Sequence, residues 1–338
     1  MLGFATPEHP DNHPRYQDGS DHVESWFWRA NHPSKPRALW LKSTILGKSS
    51  GPAIAEVWCS VFDGEKSKAL GTKSTVAFDQ SNFEGTPLNI ALSGCNFELG
   101  QSGGKSKGTI DDISWDLQWR RDDGPLGDPL CMLPSRKLID ASLPKNKLLT
   151  PSPVLWFEGT ITWGDDEWVI DNWLGMQGHN WGRAHSPQYA WGQCIFADSR
   201  GEPFCVVEGA SGRIKLGPLT SPILGLMTIR RQNRTYRFDR LVDLWNQDAA
   251  IDFPDWTLRM QGPDGEALLS MRANPEHMVC LGYENPDGKL SYCLNSKLST
   301  VSLRVNPVNH EAFECTSQYG GALEFLQSTP APELPEVV

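Results

Sequence analysis

The chain has 338 residues, 39% apolar and 21% charged, with a formal net charge of −10. A sizeable hydrophobic core is therefore within reach and bulk disorder is excluded. Basic residues are scattered rather than clustered, which argues against nucleic acid as a partner, because phosphate binding needs a positive footprint.

The first stretch, residues 1–20, lacks both a basic region and an apolar run, so it predicts a loosely ordered start without a secretory signal. From there the pattern is β: short alternating runs are broken by turn signals such as Asp63-Gly64, Asp123-Gly124, Ser199-Arg200-Gly201 and Pro263-Asp264-Gly265. Such spacing suggests barrels or sandwiches built from hairpins. The segment 124–153 carries six prolines, and proline cannot donate to a strand ladder, so it reads as a crossover between domains. The expected organisation is a β domain over 21–150, a second over 151–327, and a disordered tail at 328–338.

No apolar run is long enough to cross a membrane. Eight Cys occur without any Cys-x-x-Cys pair and mostly within apolar strands. They predict reduced, buried thiols in a cytoplasmic protein. Tryptophan is over-used, 14 against 13 Phe and 6 Tyr, and most of these indoles are expected to plug wide barrels. Nothing in the sequence bears on oligomeric state.

The most informative stretch is Gly178-His179-Asn180-Trp181-Gly182, followed by Tyr189-Ala190-Trp191-Gly192-Gln193-Cys194. Each buried polar group must find a partner or cost roughly 1–3 kcal/mol, so an apolar core has little use for this mixture. A pocket that orients a large apolar ligand does. Period-two alternation places His179, Trp181, Arg183 and His185 on one strand face. A turn at 198–201 places Trp191 opposite Glu208 and Gln193 opposite Val206, with Tyr189 on the same face.

These residues, with Trp156-Phe157-Glu158-Gly159-x-Ile161-x-Trp163 and the aromatic strand Glu24-Ser25-Trp26-Phe27-Trp28-Arg29, resemble the two-domain lipocalin-like family of carotenoid 1,2-hydratase and AttH-like proteins. More distantly, tocopherol cyclase and kievitone hydratase share the likeness. It is clearest over 155–212. It implies an all-β fold of two lipocalin-like antiparallel barrels or sandwiches and a pocket, needing no cofactor, for a prenylated or polycyclic lipophile. Two departures stand against carrying a substrate over: Glu-Ser-Trp replaces the family's usual Glu-Trp-Trp, and His179 stands where tocopherol cyclases tend to have Lys.

Protonating an alkene requires an acid that is still protonated near neutral pH, which a carboxyl in an apolar, indole-lined cavity provides. Glu208, within Phe204-Cys205-Val206-Val207-Glu208-Gly209, is the first candidate, followed by Asp171, Glu158 and Glu24. A buried ion pair of Glu208 with Arg183 or Arg213 is the open alternative. His179 is the second catalytic candidate, as general acid or base. Asn180, Trp181, Trp191, Gln193, His185, Arg183, Trp26 and Trp173 are expected to line the substrate site. The spacing of His179, His185 and Glu208 matches no compact metal motif, and no metal is expected. The sequence thus predicts a cofactor-independent acid–base enzyme performing hydration, cyclisation or isomerisation on a prenylated or polyketide-like hydrophobic small molecule in one Trp-lined pocket near the domain interface, with a non-catalytic carrier of such ligands as the alternative.

Overall fold

The computed structural model describes residues 10–337 apart from 86, 101, 134–135, 142–145, 217–218 and 241. Residues 1–9 of the expected loose start, and Pro134 and Pro144 of the crossover, lie outside that set. The described residues form strands joined by turns and a few single 3-10 turns.

The first sheet is built from β1 (His22–Asn31), β2 (Arg37–Gly47), β3 (Ile54–Asp63), β4 (Lys68–Ala77), β5 (Asn82–Glu84), β6 (Asn89–Leu92), β7 (Cys95–Leu99), β8 (Gly103–Ile110), β9 (Ile113–Arg121), β10 (Leu130–Cys131), β11 (Asn146–Trp163) and β12 (Asp166–Gly182). Its spatial order is β4-β3-β2-β1-β12-β11-β9-β8-β7-β6-β5, with β10 also on β11. The second sheet takes in β13 (Tyr189–Ala197) and β14 (Pro203–Gly212). After a small separate hairpin of β15 (Lys215–Leu216) and β16 (Leu219–Thr220), it continues with β17 (Leu224–Arg231), β18 (Arg234–Phe238), β19 (Gln247–Asp252), β20 (Asp255–Gly262) and β21 (Gly265–Arg272). It is completed by β22 (Val279–Glu284), β23 (Leu290–Pro307), β24 (Phe313–Gln327) and β25 (Glu336–Val337). The order is β18-β17-β14-β13-β24-β23-β21-β20-β19, with β22 on β23 and β25 on β22.

Both sheets curl, and the all-β, two-barrel fold expected from the sequence is the one observed. In the first, the edge strand β4 reaches the far turns: Thr72 donates to Asp111 and Ser74 Oγ to Ser93 Oγ at 2.9 Å. Alternation sorts the side chains. Odd-parity inward positions such as Leu39, Leu41, Val57 and Cys59, with Trp26, Trp28, Trp115, Trp163, Trp168 and Trp173, fill the first barrel. A second core, with Trp256, fills the other. Between the sheets lies a third cluster, in which Phe27, Trp40 and Trp58 meet Trp191, Tyr283 and Leu326.

Three expectations are corrected here. The chain changes sheets between Gly182 and Tyr189 rather than near Thr150, because β11 and β12 hydrogen-bond to β9 and β1 and so belong to the first sheet. The C-terminal residues are docked: Ala331 and Leu334 are buried, and Val337 pairs with Leu281. Residues 11–16 are likewise held, with Asn12 fully buried.

Candidate functional site

His179 sits in the middle of the pairing between β12 and β1, opposite Trp26, and Trp181 sits opposite Glu24. Gly178 beside it is required by packing, since a Cβ there would come within 2.2 Å of the Phe27 ring. Parity turns Glu24, Trp26, His179 and Trp181 into the first barrel. The imidazole is fully buried, stacked on Trp26 at 4.6 Å and 14° and flanked by Trp181 at 4.7 Å.

Its Nε2 lies 2.9 Å from Glu24 Oε1. Glu24 also takes His22 Nε2 at 2.9 Å, the Arg15 N–H at 3.1 and 3.0 Å and the Tyr16 N–H at 3.2 Å. Burial pushes the Glu24 carboxyl up, but the hydrogen bonds and charges of His179 and His22 outweigh it and hold it at about 2. An ionised carboxylate only accepts, so His179 Nε2 carries the proton and donates it to Glu24. Burial also pulls the imidazole below its ordinary value despite the carboxylate, so the ring is neutral near pH 7. That leaves Nδ1 as a lone pair, and it is buried without a partner.

The segment 11–16 packs over these residues. Asn12 and Gln177 exchange side-chain hydrogen bonds at 3.3 and 3.2 Å, Trp26 Nε1 donates to the Asn12 carbonyl at 3.1 Å, and the Arg15 guanidinium lies 4.4 Å over Trp181.

Trp191, Gln193 and Glu208 occupy the seam between the sheets. Gln193 pairs with Glu208, and Trp191 with Ala210. The predicted register was thus two residues off, because the turn is one residue longer than expected and the bulge at Phe196/Ala197 adds a second. A slip of two preserves the face, so Trp191, Gln193 and Glu208 still point the same way. Glu208 receives Thr150 Oγ1 at 2.8 and 2.9 Å and Trp191 Nε1 at 3.0 Å. Burial lifts it to about 7 against those hydrogen bonds and the charge of Arg29. Neither Arg183, which is exposed, nor Arg213, which holds Gln188 and the Ser221 carbonyl, pairs with it. Arg29 is the cation nearby, fully buried and donating to Asn31 and Gln193.

The residues expected to share one pocket therefore lie on opposite faces of β1 and β12. Asn180 turns to the seam side, where Ser25 Oγ donates to its Oδ1 at 2.6 Å. Arg183 and His185 fall beyond the end of β12, and His185 stacks on Tyr283 at 5.3 Å. Trp173 packs on Trp168 at 5.9 Å, six residues from His179 and so roughly 20 Å along the strand. Asp171 is exposed and Glu158 takes a surface hydrogen bond from Gln118, which leaves Glu24 as the runner-up that meets His179. Among the described residues no three His, Cys, Asp or Glu side chains gather as metal ligands.

Arg29, Thr150, Asn12, Lys42 and Lys297 were not singled out in the sequence. A lone cation inside an apolar strand, as in Trp26-Phe27-Trp28-Arg29 and Leu39-Trp40-Leu41-Lys42, is the signal that marks two of them. Voids are small here: one of about 20 Å³, room for a single water, lies where Glu24, Ser25, Lys42, His185 and Tyr283 meet. A cleft of about 450 Å³ lies elsewhere, on the polar outer face of the first sheet beside Asn96, Lys107, Asp116 and Thr160, and none of the predicted site residues lines it.

No family model matches the chain. Two uncharacterized Mycobacterium tuberculosis proteins, Rv0493c and MT0513, are each 22% identical over 326 residues, 96% of this chain and 92% of theirs. Among solved structures, kievitone hydratase from Nectria haematococca is similar with a TM-score of 0.57 and 12% identity, covering 96% of this chain and 99% of that one. A Nitrosomonas europaea protein described as an AttH is similar with a TM-score of 0.56 and 10% identity, covering 96% and 100%. At these identities the likeness is one of fold. No helix among the described residues is long and apolar enough to cross a membrane.

Proposed function

We propose that the protein is an acid–base enzyme of the hydratase type, acting on a hydrophobic small molecule within the first barrel with its own side chains as catalysts. The observation that carries the reading is His179: fully buried, hydrogen-bonded through Nε2 to an ionised carboxylate, held between two indoles, and left with an unpartnered Nδ1. A buried polar atom without a partner costs roughly 1–3 kcal/mol. A substrate hydroxyl or the reacting carbon's proton would use it. The fold likeness to a hydratase supports the reaction class.

In the proposed cycle the neutral ring first takes a proton from solvent at Nδ1; the imidazolium gives it to one alkene carbon, water adds to the carbocation formed at the other, and the added water's extra proton returns to Nδ1. The net change is water across the double bond, and dehydration is the same path reversed. Glu24 stabilises the imidazolium by charge, and the faces of Trp26 and Trp181 stabilise positive charge by roughly 0.5–2 kcal/mol each when desolvated. Substrate entry requires segment 11–16 to lift, because Asn12 and Arg15 cover the ring.

The test is incubation with kievitone and other prenylated alkenes in H2¹⁸O, followed by mass spectrometry. Heavy oxygen should enter the product with the wild type and fall at least a hundredfold with His179→Ala. Equal incorporation by the two proteins would remove the dyad from the chemistry.

A further inference from the structure

We propose that the seam beside Trp40 is a binding site for the carboxylate head of an apolar small molecule, independent of whether the dyad turns a substrate over. Buried donors in this seam outnumber the anions that meet them. Trp40 lies opposite Arg29 in the β1–β2 pairing, and two ammonium groups flank its ring, Lys42 Nζ at 5.8 Å and Lys297 Nζ at 5.5 Å. Lys297 has a carboxylate, Glu324, at 2.7 Å. Lys42 is 4% exposed and lies 3.6 Å over the Tyr283 ring. Arg29 is 1% exposed and its bonds go to neutral oxygens, Asn31, Gln193 and the Gly320 carbonyl.

Three buried cations thus meet one carboxylate bonded among them. The other acids nearby are engaged: Glu56 takes Lys73, Thr44, Thr75 and Trp58, Glu284 takes Lys48, and Glu208 takes Thr150 and Trp191. Two further atoms here are buried and unpartnered, Trp40 Nε1 and Arg29 Nε. Both can only donate. An uncompensated buried charge and idle donors are both costly, and a single anionic oxygen group answers both. Burial holds Lys42 down to about 8 and Lys297 below its ordinary value, against the opposing pull of Glu324 on both. The surrounding side chains, Phe27, Met176, Trp191 and Leu326, are apolar and suit the rest of such a molecule. The water-sized void touching Lys42, Tyr283 and His185 marks the entry.

Fluorescence titration with cis-parinaric acid against its methyl ester tests the site, because the two probes share one tail and the ester's head is methylated and neutral. The wild type should bind the acid at least tenfold more tightly than the ester. Lys42→Met should reduce that preference to twofold or less while leaving ester binding unchanged, and should raise the melting temperature of the free protein by removing an unpaired buried charge. His179→Ala should keep the preference. Absence of acid binding or of the preference in the wild type, or its persistence in a folded Lys42→Met, overturns the proposal. Loss of the preference in His179→Ala would place the acid beside His179 and overturn it equally.

Discussion

Glu24 and Glu208 are the same residue at almost the same burial, 2% and 1% exposed, yet they titrate at opposite ends of the carboxylate range. The difference lies in what faces each oxygen. Glu24 receives two imidazoles and two backbone N–H groups. These replace the water it lost, and the carboxyl is held at about 2. Glu208 receives one hydroxyl and one indole N–H, both neutral, and desolvation wins, lifting it to about 7. Burial alone therefore does not make an acid catalyst. Glu24 is built to stay charged and orient His179, whereas Glu208 is the group that carries a proton near neutrality.

The largest effect should come from breaking the first half of that comparison. Glu24→Gln removes the partner of a buried imidazole and sets an amide against backbone donors, which should cost about 3–5 kcal/mol in denaturant unfolding. Linkage gives the sign. A carboxyl depressed from 4.5 to about 2 contributes stability above pH 4.5 and loses it as pH falls through 2, roughly 3 kcal/mol in all. His179, also depressed, adds a loss that begins below its ordinary value of 6.5. A wild-type stability curve that stays flat between pH 4.5 and 2 would contradict the assignment.

The second half inverts the sign. With its carboxyl raised from 4.5 to about 7, Glu208 contributes stability below pH 4.5 that is lost as pH climbs through 7. Glu208→Gln keeps an acceptor for Thr150 and Trp191 but carries no charge to desolvate. It should therefore be more stable than the wild type at pH 8, by up to about 3 kcal/mol, and no more stable at pH 4.5. Thermal melts at the two pH values decide it, and a difference independent of pH would mean that Glu208 is charged at both.

The contrast also explains what could be read in advance. Turn signals and alternation are local, so the all-β architecture and the shared face of Trp191, Gln193 and Glu208 were legible in the sequence. The motif around His179 was legible too, because a histidine and an amide between glycines are improbable as mere filling. The identity of its partner was not: Glu24 is 155 residues away, joined to His179 by the β1–β12 pairing that no local pattern announces. The same pairing misled the domain reading, since prolines mark where a ladder weakens and not which sheet the next strand joins. Residues on two opposite faces were taken for one site because alternation gives relative faces within each hairpin and says nothing of where each face points.

A smaller effect is expected from loosening the covering segment. Asn12→Ala deletes a reciprocal amide pair with Gln177 and should cost about 1–2 kcal/mol. Hydrogen exchange should report it locally, by faster exchange of the Arg15 and Tyr16 amides that now bond Glu24. Unchanged protection of those two amides would mean that the segment is held by something other than Asn12.

The smallest effect separates adjacent residues of one motif. Asn180 follows His179 directly but faces the seam, half-buried, with a single hydrogen bond from Ser25. Asn180→Ala should cost no more than about 1 kcal/mol. It should leave heavy-oxygen incorporation within about twofold of the wild type, a loss of at most roughly 0.4 kcal/mol in barrier height. His179→Ala, one residue away, should abolish it. If the two substitutions reduce incorporation alike, β12 does not divide its two faces in the working protein, and the substrate must reach both at once.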